Sequence, residues 1–219
     1  MSSEPTGFLY PFIESEERDV AGLMADLAAS ARAKAETSRA LRLATLSDCA
    51  EEVRRTAQAM VERFESGGRL FAFGNGGSST DAEGAVELFR NPPRGRPLPA
   101  ISLVDDRAVL TALANDVGYE LVFSRQLIAH ARSADIAVGF STSGDSVNLI
   151  RAFEEASRRG LLTVGLCGYR GGAMATGRCV EHCLVVDSES VHRIQETQDA
   201  LILELWSTVQ RLLDEGGAT

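Results

Sequence analysis

The stretch Leu70-Phe-Ala-Phe-Gly-Asn-Gly-Gly-Ser-Ser-Thr80 constrains the fold more than any other. A short apolar run breaks into glycines, and a helical pattern starts at once. A strand that ends in a Gly-rich loop and opens a helix is an anion site. Glycines let backbone N–H groups approach a ligand, and the helix N-terminus adds partial positive charge. A second copy of this design follows downstream. Ile136-Ala-Val-Gly-Phe140 runs into Ser141-Thr-Ser-Gly-Asp-Ser146 and then into a helical pattern over 147–159. Two such units in one domain suggest a phosphorylated ligand held between two strand ends.

The rest of the chain fits that frame. Short apolar runs at 69–73, 99–104, 135–140, 162–167 and 182–187 read as strands buried on both faces. Helical patterns at 78–90, 106–114, 118–131, 146–159 and 190–215 alternate with them. The alternation predicts an α/β fold with a doubly wound, parallel, five-stranded sheet. Ligands of such sheets bind beyond the carboxyl ends of the strands, where both loops fall. Ahead of the sheet, 15–36 and 41–66 read as two amphipathic helices, closed by Gly67-Gly68. We therefore divide the chain into an N-terminal arm and helical hairpin (1–68), suited to oligomerisation, and a ligand-binding domain (69–219). Tyr10-Pro-Phe-Ile13 reads as an apolar arm for a neighbour.

Charge narrows the partners. With 22 basic and 31 acidic side chains the net charge is −9, which argues against nucleic acid and anionic membrane as partners. No apolar run reaches membrane-spanning length and no signal peptide is visible, so a cytoplasmic protein is expected. Cys49, Cys167, Cys179 and Cys183 then read as reduced thiols. Cys179, His182 and Cys183 lie close together, but their spacing suits a strand better than a metal site.

The candidate ligand contacts are short and local. Ser141, Thr142, Ser143 and Ser146 place four hydroxyls in six residues at a helix start, more than an N-cap requires. The loop lacks the Gly-Lys-Ser/Thr ending of a P-loop, so nucleotide hydrolysis is not expected. Asn115 and Asp116 end a helix just past the second strand and suit sugar hydroxyls. Gln195 and His192 fall in the first turns of the last helix, and His192 is the histidine best placed for acid/base work. The arginines of Arg90-Asn-Pro-Pro-Arg-Gly-Arg-Pro97 read mainly as a solvated turn that could reach a phosphate.

Five motifs carry a resemblance over about residues 40–215. They are Gly74-Asn-Gly-Gly-Ser78 with Asp81-Ala82, Leu113-Ala-Asn-Asp116, Ser141-Thr-Ser-Gly-Asp-Ser146, Gly168-Tyr-Arg-Gly-Gly172 and Arg193-Ile-Gln-Glu196. The chain resembles the sugar isomerase (SIS) domain proteins, among them the sedoheptulose 7-phosphate (phosphoheptose) isomerases. The resemblance implies a flavodoxin-like sheet behind a helical hairpin, a homotetramer, and active sites shared between subunits. It implies phosphate at Ser141–Ser146, with Asn75, Gly76, Gly77, Ser78, Asn115, Asp116 and Gln195 along the sugar.

The family's acid/base set is altered. Its His and Glu in the helix after the Gly-rich loop fall on Gly84 and Leu88, and a later His falls on Leu203. Glu83 and Glu87 stand one residue early, a rotation of about 100° on a helix. Some relatives hold zinc through these positions, but only Gln195 of that set is kept, so no metal or other cofactor is expected. The reading from sequence is an aldose–ketose isomerase for a seven-carbon or larger sugar phosphate, with Glu87 as base and His192 as acid. The alternatives are an inactive SIS protein that binds a sugar phosphate and regulates a partner, and a subunit that completes a partner's site.

Overall fold

The structure, a computed structural model, describes residues 20–216. The apolar arm expected at 10–13 lies outside the described residues. The chain divides into two compact units, 1–39 and 40–219. The described part of the first unit is helical, the opening stretch of α1 (Val20–Asp48).

The second unit holds the sheet. After the last turns of α1, α2 (Ala50–Glu65) leads into β1 (Leu70–Gly74), α3 (Gly77–Arg90) and β2 (Ala100–Ser102). Next come α4 (Arg107–Asp116), a 3-10 turn (Tyr119–Leu121), α5 (Val122–His130) and β3 (Ile136–Ser141). The chain closes with α6 (Val147–Arg158), β4 (Leu162–Cys167), α7 (Gly172–Thr176), β5 (His182–Val185) and α8 (Val191–Gly216). All five strands are parallel, in the order β2-β1-β3-β4-β5. The expected α/β fold is therefore present, with N-terminal helices before the sheet.

Two differences from the sequence reading are local. The first two helices do not part near residue 37–40; α1 continues to Asp48, and Cys49 alone separates it from α2. No glycine or proline interrupts that stretch, and Cys49 itself keeps right-handed helical angles. The five-residue α7 lies between the expected strands 162–167 and 182–187, where no helix was expected.

Strand side chains alternate between two cores. Leu70 and Ala72 of β1 join α2, α3 and α8 through Met60, Phe64, Phe89 and Trp206. Phe71 and Phe73 face the other way and join α4, α5, α6 and α7 through Phe123, Phe153 and Met174. Phe73 sits 5.3 Å from both Phe123 and Phe153. At the amino ends of the strands Asp135, buried, takes the Arg69 backbone N–H and its guanidinium at 2.8 Å each. These contacts hold the amino ends of β1 and β3 together and leave their carboxyl ends for the loops.

Candidate active site

Strand order places the site. β1 is flanked by β2 and β3, so the chain winds one way from β1 and the other way from β3. A crevice opens where the winding reverses. Gly74 pairs in register with Phe140, which brings both loops and the N-termini of α3 and α6 to this crevice.

The second loop gathers its hydroxyls. Ser141 Oγ lies 3.4 Å from Ser143 Oγ and 3.2 Å from Ser146 Oγ. The Gly144 N–H donates to Ser141 Oγ at 3.1 Å. A neighbouring loop braces this turn. Gly168 N–H donates to the Thr142 carbonyl and Met174 N–H to the Gly144 carbonyl, both at 3.0 Å. Ala173 N–H donates to Asp145 Oδ1 at 2.7 Å, which occupies one oxygen of the only acid in the loop. Gly144 has φ +73°, and a Cβ there would lie 2.1 Å from the Gly171 carbonyl oxygen. Any other residue would push the two loops apart.

On the first loop, Asn75 exchanges two amide hydrogen bonds with Asn148 of α6, at 2.8 and 2.9 Å. Gly76 and Gly77 are exposed and Ser78 is buried at the start of α3. Asn115 and Asp116 end α4 exposed, bonded to each other at 2.9 Å.

One face of α3 turns toward α8. Gln195 lies where a Cβ on Gly77 would be, with its Nε2 2.5 Å from that position. The same Nε2 donates to Asp81 Oδ2 at 3.1 Å. Burial pushes the Asp81 carboxyl up to about 6, against the Gln195 hydrogen bond and with a smaller push from Asp199. Residues 77, 81, 84 and 88 follow one another at helical spacing, so Gly84 and Leu88 continue the face that carries Asp81. Leu203 of α8 is half exposed.

The acids one residue early lie on another face. Glu83 lines a cavity of about 490 Å³ with Ser79, Thr80, Arg107, Thr111 and Tyr119. Glu87 is exposed, holds the Asn91 amide at 3.0 and 3.1 Å, and pairs with Arg90 at 3.5 Å. His192 is exposed on the first turn of α8 and makes no hydrogen bond to a described residue. The structure thus gathers the serine loop, Asn75, and Gln195 against Gly77, and no hydrogen bond ties Glu87 or His192 to them. Sequence reasoning did not single out Asp81 as a buried, titratable group, although it stood within a motif. Burial raises its pKa, and the polar run Ser78-Ser-Thr-Asp81 carries no signal of burial.

The remaining candidates have other partners. Arg94 lies over the Trp206 ring at 5.7 Å, and the Arg96 backbone N–H binds Gln210 at 3.0 Å. His182 Nδ1 meets Glu52 Oε1 at 2.8 Å, and Cys183 Sγ lies 3.3 Å from Cys167 Sγ. The residues present do not fit a zinc ion at the family position: Gly84, Leu88 and Leu203 offer no donor, and Gln195 is engaged by Asp81.

Comparison with known proteins identifies the family and the fold. The SIS domain profile matches residues 35–168. A phosphoheptose isomerase from Roseiflexus sp. is 42% identical over 163 residues, 73% of this chain and 81% of the relative. One from Geobacter sp. is 36% identical over 193 residues, covering 87% and 97% of the two chains. The solved phosphoheptose isomerase of Neisseria gonorrhoeae superposes with a TM-score of 0.78 at 30% identity, over 84% of this chain and 99% of that one. With a profile across more than half its length and relatives of this identity, the chain belongs to the SIS-domain family, alongside the phosphoheptose isomerases.

Proposed function

We propose that the chain is an aldose–ketose isomerase for a sugar phosphate of the phosphoheptose class. The observation that carries this reading is a clustered hydroxyl loop at the switch point of a fold shared with phosphoheptose isomerases; on the helix after the first loop stands a buried carboxyl whose pKa is pushed up to about 6. Ser141, Thr142, Ser143 and Ser146, with the α6 N-terminus, hold the phosphate. Asn75, Gly76, Gly77, Ser78, Asn115, Asp116 and Gln195 line the sugar.

Isomerisation moves one proton between neighbouring carbons and another between their oxygens. We assign the carbon proton to Asp81 in place of Glu87. Its carboxylate is the acid on the α3 face that meets Gln195, and a pKa near 6 leaves it ionised at neutral pH yet able to hold a proton. Asp81 takes the proton from C1 of the ketose, leaving an enediolate, and returns it to C2 to give the aldose. His192 serves the oxygens as acid. Glu87, bonded to Asn91, is the competing base.

The same reading makes the protein a cytoplasmic homotetramer with sites completed between subunits. Among the described residues no helix is long and apolar enough to cross a membrane. Sedimentation equilibrium tests the assembly, and a monomer would contradict it.

The deciding assay incubates the protein with sedoheptulose 7-phosphate in D₂O and follows aldose formation and deuterium at C2. Turnover that is lost in Asp81→Asn and kept in Glu87→Gln is expected. The opposite pattern moves the base to Glu87. Gly84, Leu88 and Leu203 favour a second reading, a binding or complementing subunit without activity of its own. Tight sugar-phosphate binding with no turnover selects it.

A further inference from the structure

Three side-chain hydrogen bonds hold the Asn75 carboxamide. Its Nδ2 donates to Asn148 Oδ1 at 2.8 Å. Its Oδ1 accepts from Asn148 Nδ2 and from the Tyr119 hydroxyl, each at 2.9 Å. The orientation of both amides follows from one donor that cannot be reversed. The Leu149 backbone N–H donates to the Asn148 side chain at 3.1 Å, so the atom facing it is oxygen. That same oxygen faces Asn75, so Asn75 presents nitrogen to it. The Asn75 oxygen then meets the Asn148 nitrogen, and Tyr119 fills its second lone pair. One group remains for a ligand, the second N–H of Asn75.

Asn75, Tyr119 and Asn148 line a cavity of about 570 Å³ together with Ser146 of the phosphate loop. Asn148 is buried, while Tyr119 is 54% exposed at the cavity mouth. We propose that Tyr119 and Asn148 are positioning residues that lock the Asn75 carboxamide as a donor-only contact for a ligand oxygen. The proposal rests on the sugar-phosphate reading above and adds a rule of selection to it. An unlocked carboxamide turns either end to the ligand and must be ordered on binding. A locked one is preorganised for a carbonyl or enediolate oxygen of the sugar and rejects a hydroxyl that must donate. Because enediolate oxygens gain charge, the lock favours the transition state over the bound ketose.

The test compares the full-length protein with Tyr119→Phe and Asn148→Asp, each labelled with ¹⁵N-asparagine. Calorimetric titrations use sedoheptulose 7-phosphate and, separately, inorganic phosphate. The lock predicts slow water exchange of the Asn75 side-chain amide protons in the wild type and faster exchange in Tyr119→Phe. It predicts sugar-phosphate binding weakened roughly fivefold, the worth of about one hydrogen bond, with inorganic phosphate binding unchanged. If turnover is present, kcat falls more than KM rises. Asn148→Asp keeps the acceptor toward Leu149 and removes the donor to Asn75, so its loss is larger. Should this buried substitution prevent folding, the half-exposed Tyr119→Phe decides alone. Unaltered amide exchange in Tyr119→Phe overturns the lock whether or not any ligand binds, as does an equal loss for both ligands. A wild type that binds no sugar phosphate refutes the functional reading instead, while the amide exchange still judges the lock.

Discussion

Asp81 is where burial and chemistry oppose each other. A carboxylate with a folded pKa of about 6, against an ordinary 3.8, holds its proton more tightly folded than unfolded. The folded state therefore binds more protons between those two values, and stability falls as pH rises through that window. Below 3.8 the protonated group costs nothing of this kind; above about 6 the full penalty is present. Two units correspond to roughly 3 kcal/mol at most. Asp81→Asn is expected to raise the unfolding free energy at pH 8 by on the order of 1–3 kcal/mol and to leave it nearly unchanged at pH 3.5. Denaturant melts at the two pH values check this; equal effects at both would remove the raised pKa from the account. With Asp81 as the proposed base, the wild-type rate profile should show a limb that rises with pH through about 6, because a base must be deprotonated to act. A stabilised, inactive Asp81→Asn protein is the pattern expected of a residue kept for its chemistry.

At the level of elements, α3 separates what the sequence makes plain from what it hides. The strand before it was legible because Leu70 to Phe73 is apolar on both faces, and the Gly74-Asn-Gly-Gly77 break follows directly. The faces of the helix were harder to read, since their meaning depends on what lies opposite. Gln195 against Gly77 is a contact across 118 residues of sequence, and although both residues were candidates, nothing in the sequence pairs them. The α1–α2 junction shows the converse case: without a Gly or Pro, nothing local marks Cys49 as a break. Gly84 gives α3 a direct test. A Cβ there meets no atom within 4 Å, so Gly84→Ala should stabilise the protein by about 0.5–1 kcal/mol in a thermal melt. The same open space accepts a larger side chain. Gly84→His with Leu88→Glu and Leu203→His restores the family's acid/base set and is expected to raise sugar-phosphate turnover, at a cost in stability because Leu88 packs against the core. A folded triple variant no faster than the wild type would show that the altered acid/base set is not what limits turnover.

At the scale of the whole molecule, the proposed function asks a protein with a net charge of −9 to bind a dianion. Two contributions act over different ranges. Close to the ligand, the Ser141–Ser146 hydroxyls and the α6 N-terminus supply donors, and the loop after β4 keeps them in place through Gly144. Gly144→Ala, with its Cβ driven into the Gly171 carbonyl, should lose phosphate binding and cost about 1–3 kcal/mol of stability. Further out, the net charge repels the approaching ligand, and salt screens that repulsion over roughly 10 Å at 0.1 M. Association should therefore become faster with salt, the reverse of a basic phosphate-binding protein. Stopped-flow measurement of sugar-phosphate association between about 10 and 150 mM salt should give a rate constant that rises roughly two- to threefold. The dissociation rate should stay nearly constant, because fixed dipoles in contact with the phosphate are screened little. An association rate that falls with salt would mean that arginines near the crevice outweigh the global charge, and Arg107, which lines the neighbouring 490 Å³ cavity, would be the first to replace.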